Sequence, residues 1–239
     1  MDWSIVADAL PKFALGLRIT LALLAASVLT GLLLSIPLAV ARVSARGWLA
    51  WPVLGFTYAL RGTPLLVQLF MIYFGLAQFT WMRDSLVWPL FKSAWFCSWL
   101  ALSLNTTAYT TEMLAGALRA TPHGELEAAR AAGMGPGTVL RRILLPGALR
   151  RALPQYGNEV VLMLHATSLA STVSLVELTR VARDVYEEHF VVTEAFGTVG
   201  VFYFVLTFLL VGGFRLLERR YLRHLAPKRA GADPRMKPA

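Results

Sequence analysis

Two apolar stretches of this chain carry groups that could bind a polar solute. Residues 103–112 hold Ser103, Asn105, Thr106, Thr107, Tyr109, Thr110, Thr111 and Glu112, and residues 158–171 hold Asn158, Glu159, His165, Thr167, Ser168 and Ser171. Such runs are poorly suited to lipid. A charge at the centre of a spanning helix costs about 2.5–3.5 kcal/mol on insertion scales, so Glu112 and Glu159 are expected to face a cavity, a partner or the interface. Tyr109 and Glu112 are three apart, and Glu159, Leu162 and His165 follow one another at the same interval, so each set shares a helical face. Asn105, Tyr109, Glu112, Asn158, Glu159, His165 and Ser168 are therefore the candidate lining of a solute path. Ser and Thr also serve helix packing, and Glu112 is near enough in sequence to pair with Arg119.

Bond-breaking chemistry is less well served by the sequence. Ser168 and His165 share one helix, with neither a G-x-S-x-G turn nor a separate supporting pair for an intramembrane hydrolase. A metal site at His123, Glu125 and Glu127 lacks support, because the other histidines are scattered at 165, 189 and 224. No G-x-x-x-x-G-K-[ST] sequence occurs, so ATP is not bound by that route. No metal, cofactor or catalytic residue is called for.

The elements that position these groups are membrane helices. Of 239 residues 56% are hydrophobic and 15% charged, with mean hydropathy +0.57, above a usual soluble domain. Segments near 19–41, 64–81, 95–118, 153–175 and 195–214 are long enough to cross a bilayer, giving an all-α membrane protein of about five transmembrane helices. The first is retained rather than cleaved, because its apolar run exceeds a signal peptide's. Trp48 to Leu60 is too short to cross and reads as an interfacial elbow helix. Thr63 is expected to cap the second span, with Pro64 in its first position and Arg61 at the interface. Cys97 reads as packing.

Lys and Arg concentrate after spans one and three and at the C-terminus, including Arg42, Arg46, Arg61, Arg119, Arg141, Arg142, Arg150 and Arg151. The positive-inside rule then predicts a periplasmic N-terminus and a cytoplasmic C-terminus. The net charge of +9 reports topology rather than nucleic-acid binding, since no aromatic-interleaved basic domain occurs. Trp81, Trp88, Trp95 and Trp99 read as outer interfacial anchors. The segment Val176 to Phe190 reads as an outer amphipathic helix able to meet a soluble partner.

A docking unit at about 122–150 joins spans three and four. Ala128, Ala129, Ala131 and Ala132 would make a nearly side-chain-free helical surface that a groove can approach closely, with Glu127 in the first turn. Gly133 then stops the helix. Pro136 starts a second short helix whose Val139, Leu140, Ile143 and Leu144 lead back to the membrane before Pro146 interrupts it.

The series Glu127, Ala128, Ala129, Gly133, Ile143, Leu145, Pro146 resembles the EAA loop of binding-protein-dependent ABC importer membrane subunits. RGTPLLVQ at 61–68, LNTTAYTTE at 104–112 and YGNEVVLMLHATSLA at 156–170 are similar to the polar amino-acid permeases, especially M-type subunits for histidine, lysine, arginine and ornithine. The resemblance implies a type I ABC importer transmembrane fold over 13–225; the residues after it, 226–239, read by their polar composition as a disordered tail. It implies a permease in the bacterial inner membrane rather than an enzyme, importing polar, most readily basic, amino acids. Its partners would be a homologous Q-type membrane subunit, two copies of a nucleotide-binding ATPase subunit, a periplasmic amino-acid-binding protein and the lipid bilayer. His165 stands where many relatives have Lys, and removing a fixed cation suits a cationic substrate. Opines or other polar amino acids remain alternative cargoes, and a secondary carrier or channel is the rival of another class.

Overall fold

The computed structural model describes residues 3–44 and 46–222, and every regular element among them is helical. The expected tail at 226–239 lies outside the described residues. Helix α1 is Trp3–Arg42, 40 residues that run about 60 Å at 1.5 Å per residue. It therefore begins well before the apolar run that marks span one. Helix α2, Gly47–Arg61, covers the segment expected as an elbow, and it meets α3, Leu65–Gln78, at a bend of 100°. Helix α4 is Ala94–Arg119, and α5 is His123–Ala131. Helix α6, Pro136–Val173, bends by 48° into α7, Leu178–His189, and α8 is Val192–Tyr221.

The five expected spans fall on α1, α3, α4, α6 and α8. Among the described residues, two helices, α1 and α8, are long and apolar enough to cross a membrane, or up to four if each bent pair is one span. Helix α4 has 26 residues, ample length at about 39 Å. Its run from Ser103 to Glu112 is what dilutes its hydropathy.

Two local expectations are corrected. Pro64, not Thr63, occupies the cap of α3; the Thr63 hydroxyl instead donates to the Ala59 carbonyl at 2.8 Å. Gln68 closes the corner, its Nε2 donating to Leu60 O at 2.7 Å and Thr63 O at 3.0 Å. Nor does Pro146 interrupt its helix. A π-turn at Leu140–Leu144, in which Leu145 N–H reaches Leu140 O, absorbs the residue that cannot donate.

Packing concentrates on α1 and α4, which lie so close that a Cβ on Gly31 would collide with Thr106. At one end, Ala39, Leu114, Ala115, Leu118, Ala148 and Ala152 form a small-residue core of α1, α4 and α6. At the other, Phe13 packs with Leu178, Val181, Ala182 and Val185, the apolar face of α7. Helix α7 is thus amphipathic, as expected, with Arg180 and Asp184 paired at 2.8 Å on its polar side.

Candidate functional site

A cavity of about 580 Å³ opens where the end of α2 meets α4 and α6. Tyr109 and Glu112 come from α4, Asn158 and Glu159 from α6, and all four line it together with Arg61, Gln155 and Arg151. A second cavity of about 420 Å³ adjoins it, lined by Arg42, Thr57 and Tyr58. Arg61, Tyr109 and Glu112 line both and form the partition.

The two carboxylates of this site are in different states of engagement. Glu112 Oε1 accepts from Arg42 Nε at 2.8 Å and from the buried Thr57 hydroxyl at 2.9 Å. Its partner is therefore Arg42, 70 positions away, and not the nearby Arg119. Glu159 is only 6% exposed, and its Oε1 has no hydrogen-bond partner. A buried carboxylate oxygen without a donor is costly, so it calls for a ligand with a proton to give.

The cations are likewise unequal. Arg151 donates through Nε and Nη2 to Ala117 O at 3.2 and 3.0 Å, and through Nη2 to the Thr121 hydroxyl at 2.6 Å. It closes the C-terminal carbonyls of α4 and ties the entry of α5 to α6. Arg61 lies 5.1 Å over the Tyr109 ring centroid.

Three candidate path residues sit away from the lining. Asn105 is buried behind it, its Nδ2 donating to Gln68 Oε1 at 3.4 Å, which links α4 to the α2–α3 corner. His165 Nε2 and the Thr207 hydroxyl of α8 lie 3.0 Å apart. The Ser168 hydroxyl donates back to His165 O at 2.7 Å, where α6 tightens into a 3₁₀ turn from Thr167. Along α6 the lining ends at Leu162, one turn before His165.

Sequence reasoning assigned Arg42, Arg61 and Arg151 to topology and left Thr57 unremarked, although all four touch or border the site. Glu177, in the segment read as an outer amphipathic helix, is 0% exposed. Its Oε1 accepts Arg180 N–H at 2.8 Å and its Oε2 accepts the Tyr203 hydroxyl at 3.0 Å, capping α7 onto α8.

The unit between α4 and α6 is a second candidate site. Glu127 and Ala128 are exposed on α5, while Ala129 is buried, so the bare surface consists of Ala128, Ala131 and Ala132. Glu125, rather than Glu127, occupies the first turn. Gly133 adopts φ +74°, with its N–H donating to Arg130 O and Met134 N–H to Ala129 O, the two hydrogen bonds of a Schellman stop. Ile143, Leu145 and Pro146 are half-buried on the π-turn side.

The family described as binding-protein-dependent transport system inner membrane component matches residues 27–223. The histidine/lysine/arginine/ornithine transport system permease protein HisM of Salmonella typhimurium is 47% identical over 214 residues, 89% of this chain and 91% of that one. The octopine transport system permease protein OccM of Rhizobium radiobacter is 42% identical over 219 residues, 92% of this chain and 89% of that one. Among solved structures, an amino acid ABC transporter with histidines superposes with a TM-score of 0.82 at 30% identity, over 92% of this chain and 99% of the other. The MetNI methionine ABC transporter, 21% identical, shares the fold with a TM-score of 0.75.

Proposed function

Since this chain belongs to the binding-protein-dependent transport system inner membrane components, we propose that it is the permease subunit of an ATP-driven importer of basic amino acids. It would span the bacterial inner membrane several times, with its N-terminus in the periplasm and its C-terminus in the cytoplasm. The single observation that carries the substrate class is Glu159, a buried carboxylate with an unpartnered oxygen in the 580 Å³ cavity. Arg42 already holds Glu112, so Glu159 is the acid left for an incoming ammonium, guanidinium or imidazolium. The similarity to HisM agrees with this choice.

The exposed face of α5 would dock in a groove of an ATPase subunit present in two copies, with a Q-type membrane subunit completing the path and a periplasmic binding protein delivering the amino acid. ATP-driven closure of the ATPase pair displaces α5. Arg151 and the short connection at Thr121 pass that displacement to α4 and α6, the walls of the cavity. ATP hydrolysis belongs to the partner, and this chain contributes no catalytic residue. Octopine import is the second reading, favoured by the similarity to OccM, since an opine derived from arginine keeps the guanidinium.

Proteoliposomes containing the co-expressed permeases, ATPase and binding protein test the reading through uptake of radiolabelled arginine, lysine, histidine and octopine. ATP- and binding-protein-dependent uptake of the basic amino acids is expected. Uptake without ATPase would mean a carrier. Glu159→Gln is expected to lower cationic uptake by about tenfold, the equivalent of one charge-assisted hydrogen bond, while reducing ATPase stimulation less. Equal losses in both would assign Glu159 to structure or coupling.

A further inference from the structure

Two guanidinium groups line the larger cavity, and only one is committed to other parts of the protein. Arg151 is held by Ala117 O and the Thr121 hydroxyl. The Arg61 guanidinium makes no hydrogen bond or close ion pair among the described residues, although its charge acts on the Glu112 and Glu159 carboxylates across the cavity; it rests on the face of Tyr109, which supports its plane without using any of its five N–H donors. Its backbone is fixed more firmly than its side chain. Arg61 ends α2, and Gln68 bridges the Leu60 and Thr63 carbonyls on either side of it, while Asn105 holds Gln68 from α4.

The cavity thus offers a planar cation from α2 with unused N–H donors and a carboxylate oxygen from α6 with no hydrogen-bond donor. An α-amino acid with a basic side chain presents the reverse pair, an α-carboxylate at one end and a cation at the other. A guanidinium fork binds a carboxylate through two parallel N–H bonds, a match that a side-chain amide or ammonium does not reproduce.

We propose that Arg61 receives the α-carboxylate of the transported amino acid while the cationic end of the substrate turns toward Glu159. The assignment rests on the reading of this cavity as the translocation path. It makes Arg61 the residue that separates amino acids from simple amines. Tyr109 supports the guanidinium before substrate arrives, so less side-chain freedom is lost on binding.

The test is equilibrium binding of L-arginine and of agmatine, its decarboxylated analogue, to the purified permease–ATPase complex in nanodiscs without binding protein, which would impose its own selectivity. Wild type is expected to bind arginine at least about tenfold more tightly than agmatine, and Arg61→Gln to remove that preference by weakening arginine alone. Arg61→Lys should restore part of it, and it decides the question if Arg61→Gln does not assemble. Equal weakening of both ligands would overturn the proposal in favour of a structural role. Tighter binding of both would overturn it too, because Arg61 would then be a built-in competitor of the cation. Failure of the basic-substrate reading looks different: wild type would bind neither arginine nor agmatine but would bind a neutral or acidic amino acid, whose loss in Arg61→Gln would still support the carboxylate assignment.

Discussion

The α5 turn and the cavity between α2, α4 and α6 present function in opposite ways. At α5 the chain withdraws its side chains: Ala128, Ala131 and Ala132 leave backbone exposed, and Gly133 ends the helix by a left-handed turn that needs no neighbour. At the cavity the backbone is ordinary helix, and everything depends on side chains arriving from distant segments, as with Arg42 and Glu112 across 70 positions. The surface proposed for a close protein contact is built locally. The site proposed for a charged solute is assembled, because charges in a membrane helix must find partners on other helices. Substitutions should therefore separate the two regions, docking defects leaving solute binding intact and cavity defects leaving docking intact.

The largest separation is expected at Gly133. Gly133→Asp places a charge at the proposed docking turn, and uptake should fall at least about a hundredfold, the scale of a charge left unpaired in a close contact, with insertion and arginine binding retained. Gly133→Asn sharpens the point, since Asn tolerates the left-handed conformation without charge. Near-normal uptake in Gly133→Asn beside its loss in Gly133→Asp assigns the effect to the surface. Equal loss in both would move it to the backbone turn, and normal uptake in Gly133→Asp would end the docking argument.

An intermediate effect is expected at the cavity wall. Arg42→Gln strips Glu112 of its charge partner, leaving the Thr57 hydroxyl as donor, and should cost about 1–3 kcal/mol of thermal stability. Adding Glu112→Gln should recover most of that loss, which a double-mutant cycle on the melting temperature of the purified complex would measure. ATPase association should be unchanged throughout. Loss of ATPase binding in Arg42→Gln would join the two regions into one mechanical unit and undo the comparison.

The same contrast governs what the sequence reveals. Gly133 and Pro136 were legible because a helix stop and a helix start are set by residues within one turn of each other. Tyr109, Glu112, Asn158 and Glu159 were legible as polar intrusions in apolar runs. The identity of Glu112's partner was not, since Arg119 is near in sequence while Arg42 is near in space. Arg61 and Arg151 carried only the information that cationic residues flank spans, and nothing local distinguishes a flanking arginine from one that turns into a cavity. Ser168 was not separable in sequence from the lining residues, since the turn of its hydroxyl back to the His165 carbonyl is a local choice that spacing does not record. The burial of Glu177 was not legible either, because it depends on Tyr203 from α8.

The smallest effect should lie far from both regions, where α7 is pinned to the N-terminal part of α1. Lys12 Nζ donates to Glu188 Oε2 at 2.8 Å and Oε1 at 3.0 Å on the protein surface. The hydrogen bond from Lys12 and then its charge hold the Glu188 carboxyl below its ordinary value, slightly aided by His189. A depressed carboxyl adds stability above its unfolded value of about 4.3, and the gain disappears as pH falls through the folded value. Wild type should therefore melt slightly above Glu188→Gln at pH 7 in low salt, and the gap should close on acidification below about pH 4 and on addition of salt. Uptake should be unchanged, because the pair touches neither α5 nor the cavity. A gap that persists in acid would mean that Glu188 acts through packing rather than charge. A change in uptake would add the α1–α7 contact to the parts that move during transport.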